Sequence, residues 1–296
     1  MVFVLEVMKW HNQQAVGYFM RGIFLCFYVL LQSSFFLCAE EIPYQPEFTV
    51  VIPSYNNGRN HEYMCIKNLE SVFAQTYPKF SVVYIDDCST DDTGAIVDSF
   101  VREHHLENKI KVIHNTERKG ALRNLYEVIH ALDPHTIVVQ VDGDDMLANS
   151  KVLEYQAKVF SDQSVWISIG SYKTFPGNEV KLVAPVPKKV LKSGDFRSYH
   201  FCWYPLRTFY AKLFQLIDKE DLLYKEQFYP VCWDEAMMRP MLSMASPSHV
   251  GWSREVLYLY YLNNPISDFK INKTLMKECG GEILSKPPYK SVVSLF

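Results

Sequence analysis

The stretch Thr136-Ile137-Val138-Val139-Gln140-Val141-Asp142-Gly143-Asp144-Asp145 sets a β-branched run directly ahead of three carboxylates. Val and Ile in a near-continuous run mark a strand covered on both faces, and Asp and Gly end it in a turn. The acids therefore stand where a buried strand emerges into a cleft. Two carboxylates about 6 Å apart repel by roughly 3 kcal/mol at an effective dielectric of about 20. A divalent cation carrying a phosphate is a natural way to satisfy them. An ordinary turn is the other reading of Asp-x-Asp, so the surrounding sequence decides.

Working outward, three more short apolar runs have strand character: Phe48 to Ile52, Phe80 to Ile85 and Ile110 to His114. A Pro-bearing linker, Ile42 to Glu47, precedes the first. The segments between carry helical spacing, in Cys65, Leu69, Val72 and Phe73, then Ile96, Val97, Phe100 and Val101, then Leu122, Leu125, Tyr126 and Ile129. These stripes are core. Asp91, Asp92 and Thr93 are N-cap candidates for the second helix, and Gly120 supplies a permissive turn before the third. The alternation predicts an α/β fold with a mostly parallel central sheet flanked by helices, its ligands beyond the carboxyl ends of the strands. Neither G-x-G-x-x-G nor G-x-x-x-x-G-K-[ST] occurs, so dinucleotide and P-loop chemistry lose their main support. Phosphate has to be held another way, and Asp142 to Asp145 with a metal is the available device.

Composition bounds the partners. The chain is 48% hydrophobic with a formal net charge of -3, which excludes whole-chain disorder and offers no basic stripe for nucleic acid. Basic pairs such as Lys188-Lys189 are solvated surface. Cys26, Cys38, Cys65, Cys88, Cys202, Cys232 and Cys279 are scattered without a Cys-x-x-Cys pair, so neither a zinc site nor a disulfide framework is indicated. Residues 22–39 are nearly all apolar, preceded by Lys9 and Arg21 and followed by Glu40 and Glu41. This N-terminal segment has the character of a signal peptide or membrane anchor. It is slightly short for a spanning helix of about 20 residues and lacks a small residue at −3 of a cleavage site. A hydrophobic helix packed on the body is the alternative, and residues 1–19 are either an extended gene start or a short tail. The positive flank places the rest of the chain outside the cytoplasm or in a lumen; a segment that does not export the chain leaves it cytoplasmic.

Three strand-end loops share a joint pattern: Val51-Ile52-Pro53-Ser54-Tyr55-Asn56-Asn57, Ile85-Asp86-Asp87-Cys88-Ser89-Thr90-Asp91-Asp92-Thr93, and Val141-Asp142-Gly143-Asp144-Asp145. With His114-Asn115 and Lys119-Gly120-Ala121-Leu122-Arg123-Asn124 between them, the order resembles the family 2 glycosyltransferases of GT-A fold, from Phe48 to about Ala157. The resemblance implies a UDP-sugar donor, a hydroxyl acceptor on a glycan, lipid-linked sugar or protein, and Mn²⁺ or Mg²⁺. It implies that Pro53 and Tyr55 wall a uracil pocket and that Asp86 accepts from the uracil N–H. Asp142 would lie near ribose and metal, Asp144 would ligate the metal, and Asp145 would cap or orient. Arg123 either faces the diphosphate or pairs with an acid on its own helix. The commonest family version has Ala where Gly143 stands.

From about Ser161 the sequence loses regularity, which suits an acceptor-binding region. His200-Phe201-Cys202-Trp203-Tyr204-Pro205-Leu206-Arg207-Thr208-Phe209 resembles a Leu-Arg-Thr-Phe segment of some of these transferases, with Arg207 a candidate for acceptor or phosphate binding, or else a surface ion pair. Trp233-Asp234-Glu235-Ala236-Met237-Met238-Arg239 resembles the region of the family's catalytic carboxylate. Asp234 is favoured as the base and Glu235 is the alternative; Asp234 also suits a helix N-cap. A base takes the acceptor's proton as its oxygen attacks the anomeric carbon, so the resemblance implies an inverting transferase. Met237, Met241 and Met244 form a core stripe, and His200 and His249 are candidate further metal ligands or structural histidines. The expected organisation is residues 1–40 as the N-terminal segment, 47–157 as the nucleotide-binding half, 158–265 as the acceptor half and 266–296 as a polar tail. A non-catalytic nucleotide-binding scaffold or a nucleotidyl or phosphoryl transferase are the rival readings.

Overall fold

The four predicted strands pair side by side. The computed structural model describes residues 44–184, 186–193, 196, 199 and 204–296, and Gln45 to Phe296 belong to one compact unit. Strands β1 (Phe48–Ser54), β2 (Phe80–Asp86), β3 (Ile110–His114) and β4 (Ile137–Gln140) run parallel in the order β3-β2-β1-β4. Every residue of β1 and β4 is buried, as strands covered on both faces require. Helices α1 (Met64–Phe73), α2 (Thr93–Glu103) and α3 (Ala121–His130) connect them and turn the predicted stripes inward: Cys65, Leu69 and Val72, then Val97, Phe100 and Val101, then Leu122, Leu125 and Ile129. Asp91, one residue before the N-cap position Asp92, accepts from the Thr93 amide at 2.9 Å and from the Gly58 amide at 3.1 Å, so it ties the first loop to the start of α2.

The chain steps outward from β1 to β2 to β3 and then returns to the other side of β1 as β4. The strand order therefore reverses between β1 and β4, where a parallel sheet opens a crevice at its carboxyl end. Ser54 and Asp142 flank that point.

The second half is more regular than its sequence. Strand β5 (Met146–Leu147) and helix α4 (Val152–Phe160) lead into β6 (Ile167–Phe175), β7 (Val180–Lys181), helix α5 (Lys188–Ser193) and β8 (Arg207–Tyr210). Helix α6 (Ala211–Gln215), the hairpin β9 (Leu223–Tyr224) and β10 (Gln227–Phe228), helix α7 (Trp233–Ala245) and β11 (Val250–Tyr261) follow. Strand β8 lies antiparallel on β4, β6 antiparallel on β8, β11 parallel to β6, and β5 antiparallel on β11, so one sheet runs through both halves. Irregular patterning hid these strands: β11 shifts register around Val256, which breaks the alternation of its inward residues. Met237, Met241 and Met244 of α7 are buried as the core stripe predicts.

Two expectations are corrected. The polar tail from 266 is a folded part of the unit: α8 (Asp268–Ile271) and α9 (Lys273–Ser285) form, Cys279 and Ile283 are buried, and the Val292 amide donates to the Met244 carbonyl at 2.9 Å. Its apolar residues are sparse but fall on one face of α9, which is enough to dock it. The expectation of a membrane-associated or exported chain is withdrawn: residues 22–39, on which it rested, lie outside the described residues, and among the described residues no helix is long and apolar enough to cross a membrane.

Candidate active site

The loops after β1 and β2 are held against each other. The Asn56 amide donates to Ser89 Oγ at 2.9 Å and the Thr90 amide returns to Asn56 Oδ1 at 2.8 Å. Behind them a recess of about 130 Å³ is lined by Pro53, Tyr55, Asp87, Arg118 and Trp233. The Arg118 guanidinium lies 3.8 Å from the centre of the Tyr55 ring. Asp87 accepts from the amides of Lys119 and Gly120, both at 2.8 Å, and from Asn115 Nδ2 at 2.8 Å. A carboxylate offers about four lone pairs, so one acceptor position is left. Asp86 is placed elsewhere. Its oxygens take the Ser89 amide at 3.1 Å and His114 Nδ1 at 3.2 Å, and it is not among the recess residues. The structure thus sets Asp87, and not the expected Asp86, on the wall of the recess, because successive side chains of a strand face opposite ways. Arg123 pairs with Glu127 at 2.9 Å and Glu117 at 3.4 Å, away from the cleft, which is the second of its two readings.

At the end of β4 the three aspartates diverge. Asp145 is buried and accepts from the Tyr261 amide at 2.7 Å, locking the turn to β11. Asn68 of α1 donates to the carbonyls of Asp142 and Asp145 at 2.9 and 2.8 Å. Asp142 and Asp144 open into the cleft. Gln140 Nε2 donates to Asp142 Oδ1 at 2.9 Å, and the Asp142 amide donates to the Tyr258 hydroxyl at 3.0 Å. Asn264 Nδ2 donates to Asp144 Oδ2 at 2.6 Å. Desolvation among the strand ends pushes Asp142 up to about 6, with Arg207 opposing and Asp144 and Asp234 adding to the rise. Burial also raises Asp144 against the Asn264 bond, and raises Asp145 further beside both neighbours. Such a group favours a cation. Gly143 packs so closely on β1 that a Cβ there would stand 2.5 Å from Ser54 Cβ.

Opposite these acids, α7 starts after Cys232, which is in the left-handed region. Its first turn presents Asp234 and Glu235 to the same cavity as Tyr55, Asp142, Asp144 and Arg207, with a volume of about 550 Å³. Arg207 Nη2 donates to Asp234 Oδ2 at 3.0 Å, and its Nη1 lies 3.8 Å from Asp142 Oδ2. Glu235 Oε2 is gripped by Arg239 at 3.0 and 2.8 Å, and Arg239 also donates to the carbonyls of Phe196 and Tyr199. His249 stacks on Trp166 at 3.6 Å and is outside the cavity, which makes it the structural histidine of its two readings; His200 lies outside the described residues. The structure brings together Pro53, Tyr55, Asp142, Asp144, Arg207, Asp234 and Glu235, and leaves out Asp86 and Arg123. Asp87, Arg118, Tyr258 and Asn264 escaped the sequence reading; an unexplained Tyr or Asn more than a hundred positions from its partner carries no local signal.

Comparison with known proteins bears on the family and the fold. The family model described as Glycosyl transferase family 2 matches residues 49–218. Glycosyltransferase GlyG of Streptococcus pneumoniae is 28% identical over 127 residues, which cover 43% of this chain and 39% of the relative. Hyaluronan synthase of Streptococcus pyogenes is 25% identical over 177 residues, covering 57% and 41%. The chain thus spans less than half the length of either relative. Among solved structures, S. aureus TarS 1-349 in complex with UDP-GlcNAc superposes with a TM-score of 0.58 at 19% identity, over 82% of this chain and 68% of that one. The mannosyltransferase PcManGT from Pyrobaculum calidifontis in complex with GDP-Man and Mn2+ gives 0.55 at 18% identity, over 83% and 66%. The fold is that of the GT-A transferases, and with the family match extending over more than half of its length the chain belongs to glycosyl transferase family 2.

Proposed function

We propose that this chain is an inverting glycosyltransferase that moves a sugar from a UDP-sugar to a hydroxyl acceptor. The observation that carries the reading is one cavity in which Asp142 and Asp144 face Asp234 across Arg207, at 3.0 Å from Asp234 and 3.8 Å from Asp142. Pro53 and Tyr55 offer an apolar wall for the base, and Asp87, with its remaining lone pair, would accept from a uracil N–H. The UDP-GlcNAc named for the TarS structure supports that class of donor.

Asp142 and Asp144 suit a divalent ion, since burial raises both and a cation would relieve them. Two carboxylates are a donor set that suits Mg²⁺ or Mn²⁺ bound together with substrate phosphates, and the PcManGT complex names Mn2+. When bound, the ion would supply positive charge to the departing diphosphate. The protein's own part is general base catalysis. Asp234 takes the acceptor proton while the oxygen attacks from the side opposite the leaving group, so the configuration inverts. Glu235 is committed to Arg239 and orients the start of α7.

Slow hydrolysis of UDP-, GDP- and dTDP-sugars by the purified protein with Mn²⁺ tests this. UDP-sugars should be consumed, and Asp234→Asn should lower turnover by roughly 10²- to 10⁴-fold. A protein that is not stabilised by UDP with Mn²⁺, or that consumes none of these donors, is not such an enzyme. A protein that binds UDP without turnover of donor is a nucleotide-binding scaffold.

A further inference from the structure

Strand pairing places Arg207 where no local sequence signal could. In the β4–β8 ladder Arg207 lies directly opposite Gln140, and in the β6–β8 ladder opposite Ile169, so its backbone is fixed from both sides. Its side chain is 6% exposed. Nη1 donates to Gln140 Oε1 at 2.8 Å and Nη2 to Asp234 Oδ2 at 3.0 Å, with the Trp233 ring centre 5.4 Å from the guanidinium. The other oxygen of Asp234 accepts from the Glu235 amide at 2.9 Å. Both oxygens of the proposed base are therefore held, one by the helix and one by an arginine rooted in the central sheet.

We infer that Arg207 is a positioning residue for Asp234, which it holds at a set distance from Asp142, and not a ligand of the donor diphosphate. The inference rests on the reading of Asp234 as the base. Its physical ground is commitment. A guanidinium that grips phosphate does so with two neighbouring donors in a fork, whereas this one, though it borders the cavity, spends a hydrogen of each terminal nitrogen on a protein oxygen, has its Nε buried without a partner and is 6% exposed. Its charge also stands between two carboxylates that would otherwise repel. Without it, Asp234 loses one of its two anchors and is pushed away from Asp142.

The test compares wild type, Arg207→Gln, Arg207→Lys, Asp234→Asn and the Arg207→Gln/Asp234→Asn double variant. Binding of UDP with Mn²⁺ is measured by calorimetry, and hydrolysis of UDP-N-acetylglucosamine, UDP-glucose and UDP-galactose by UDP release. Arg207→Gln should lower kcat by roughly 10- to 100-fold, the range for groups that orient a working side chain, while donor KM and UDP affinity stay within about threefold. The double variant should be no slower than Asp234→Asn, because removing either partner removes the same device. Arg207→Lys keeps the charge and should recover part of kcat; it also carries the test if the Gln variant fails to fold by circular dichroism. UDP affinity or donor KM weakened tenfold with kcat retained makes Arg207 a phosphate ligand and overturns the inference. Additive losses in the double variant overturn it as well. An active wild type with Asp234→Asn unimpaired removes the base reading and this inference with it, leaving the transferase reading standing; a wild type that neither binds UDP nor hydrolyses a donor removes both.

Discussion

Asp142 and Asp144 stand two residues apart and share the cleft, while Asp145, which also borders it, is buried and held by the Tyr261 amide. The division of labour within Asp142-Gly143-Asp144-Asp145 predicts distinct variants. Asp144→Asn removes charge from the cleft and should weaken Mn²⁺ binding, followed by electron paramagnetic resonance, together with turnover, each by at least about tenfold. Retained Mn²⁺ affinity would remove Asp144 from the metal. Gly143 is needed for space, since an added methyl would meet Ser54. Gly143→Ala should cost about 1–3 kcal/mol in denaturant unfolding, as overpacking does. The motif was legible because its spacing is local. Asp86 against Asp87 was not, because the choice depends on which face of a strand end turns toward the cleft, and a one-residue difference inverts the answer.

At the level of elements, His114 joins the end of β3 to β2 and α2. It meets Asp86 at 3.2 Å and Asp98 at 3.1 Å. Burial works to lower it, but these bonds outweigh burial and raise it above its ordinary 6.5. A raised folded value means that the stabilisation is complete below about pH 6.5 and is lost as pH rises through the raised value. The difference in Tm between wild type and His114→Gln should therefore be largest near pH 6 and shrink toward pH 9. A difference that grows with pH would contradict the pairing. Helix α9 offers a second check. Ile283 is fully buried, so Ile283→Ala should destabilise the unit by about 2–5 kcal/mol, whereas a free tail would show no change. Helices α1 to α3 were legible from their 3.6-residue stripes. Strand β11 and helix α9 were not, because a bulged strand and a sparsely apolar helix lack a clean period.

Across the whole molecule, the switch between β1 and β4 and the antiparallel docking of β8 on β4 bring both halves of the sequence to one cavity. Binding of ligand at such a junction stabilises the entire unit. UDP with Mn²⁺ at 100 times its dissociation constant should add about 2.7 kcal/mol to unfolding, and chelation of the metal should remove most of that gain in a thermal melt. By itself the sequence determined the parallel α/β half, its strand-end acids and the family they resemble, because these rest on local period and spacing. Only the tertiary structure decided that Arg207 meets Asp234 and Asp142, that Asp87 and not Asp86 lines the recess beside Tyr55, and that residues 266–296 close part of the fold. Those contacts join positions tens to more than a hundred residues apart or turn on side-chain direction, and register, which sets both, is a property of the assembled sheet.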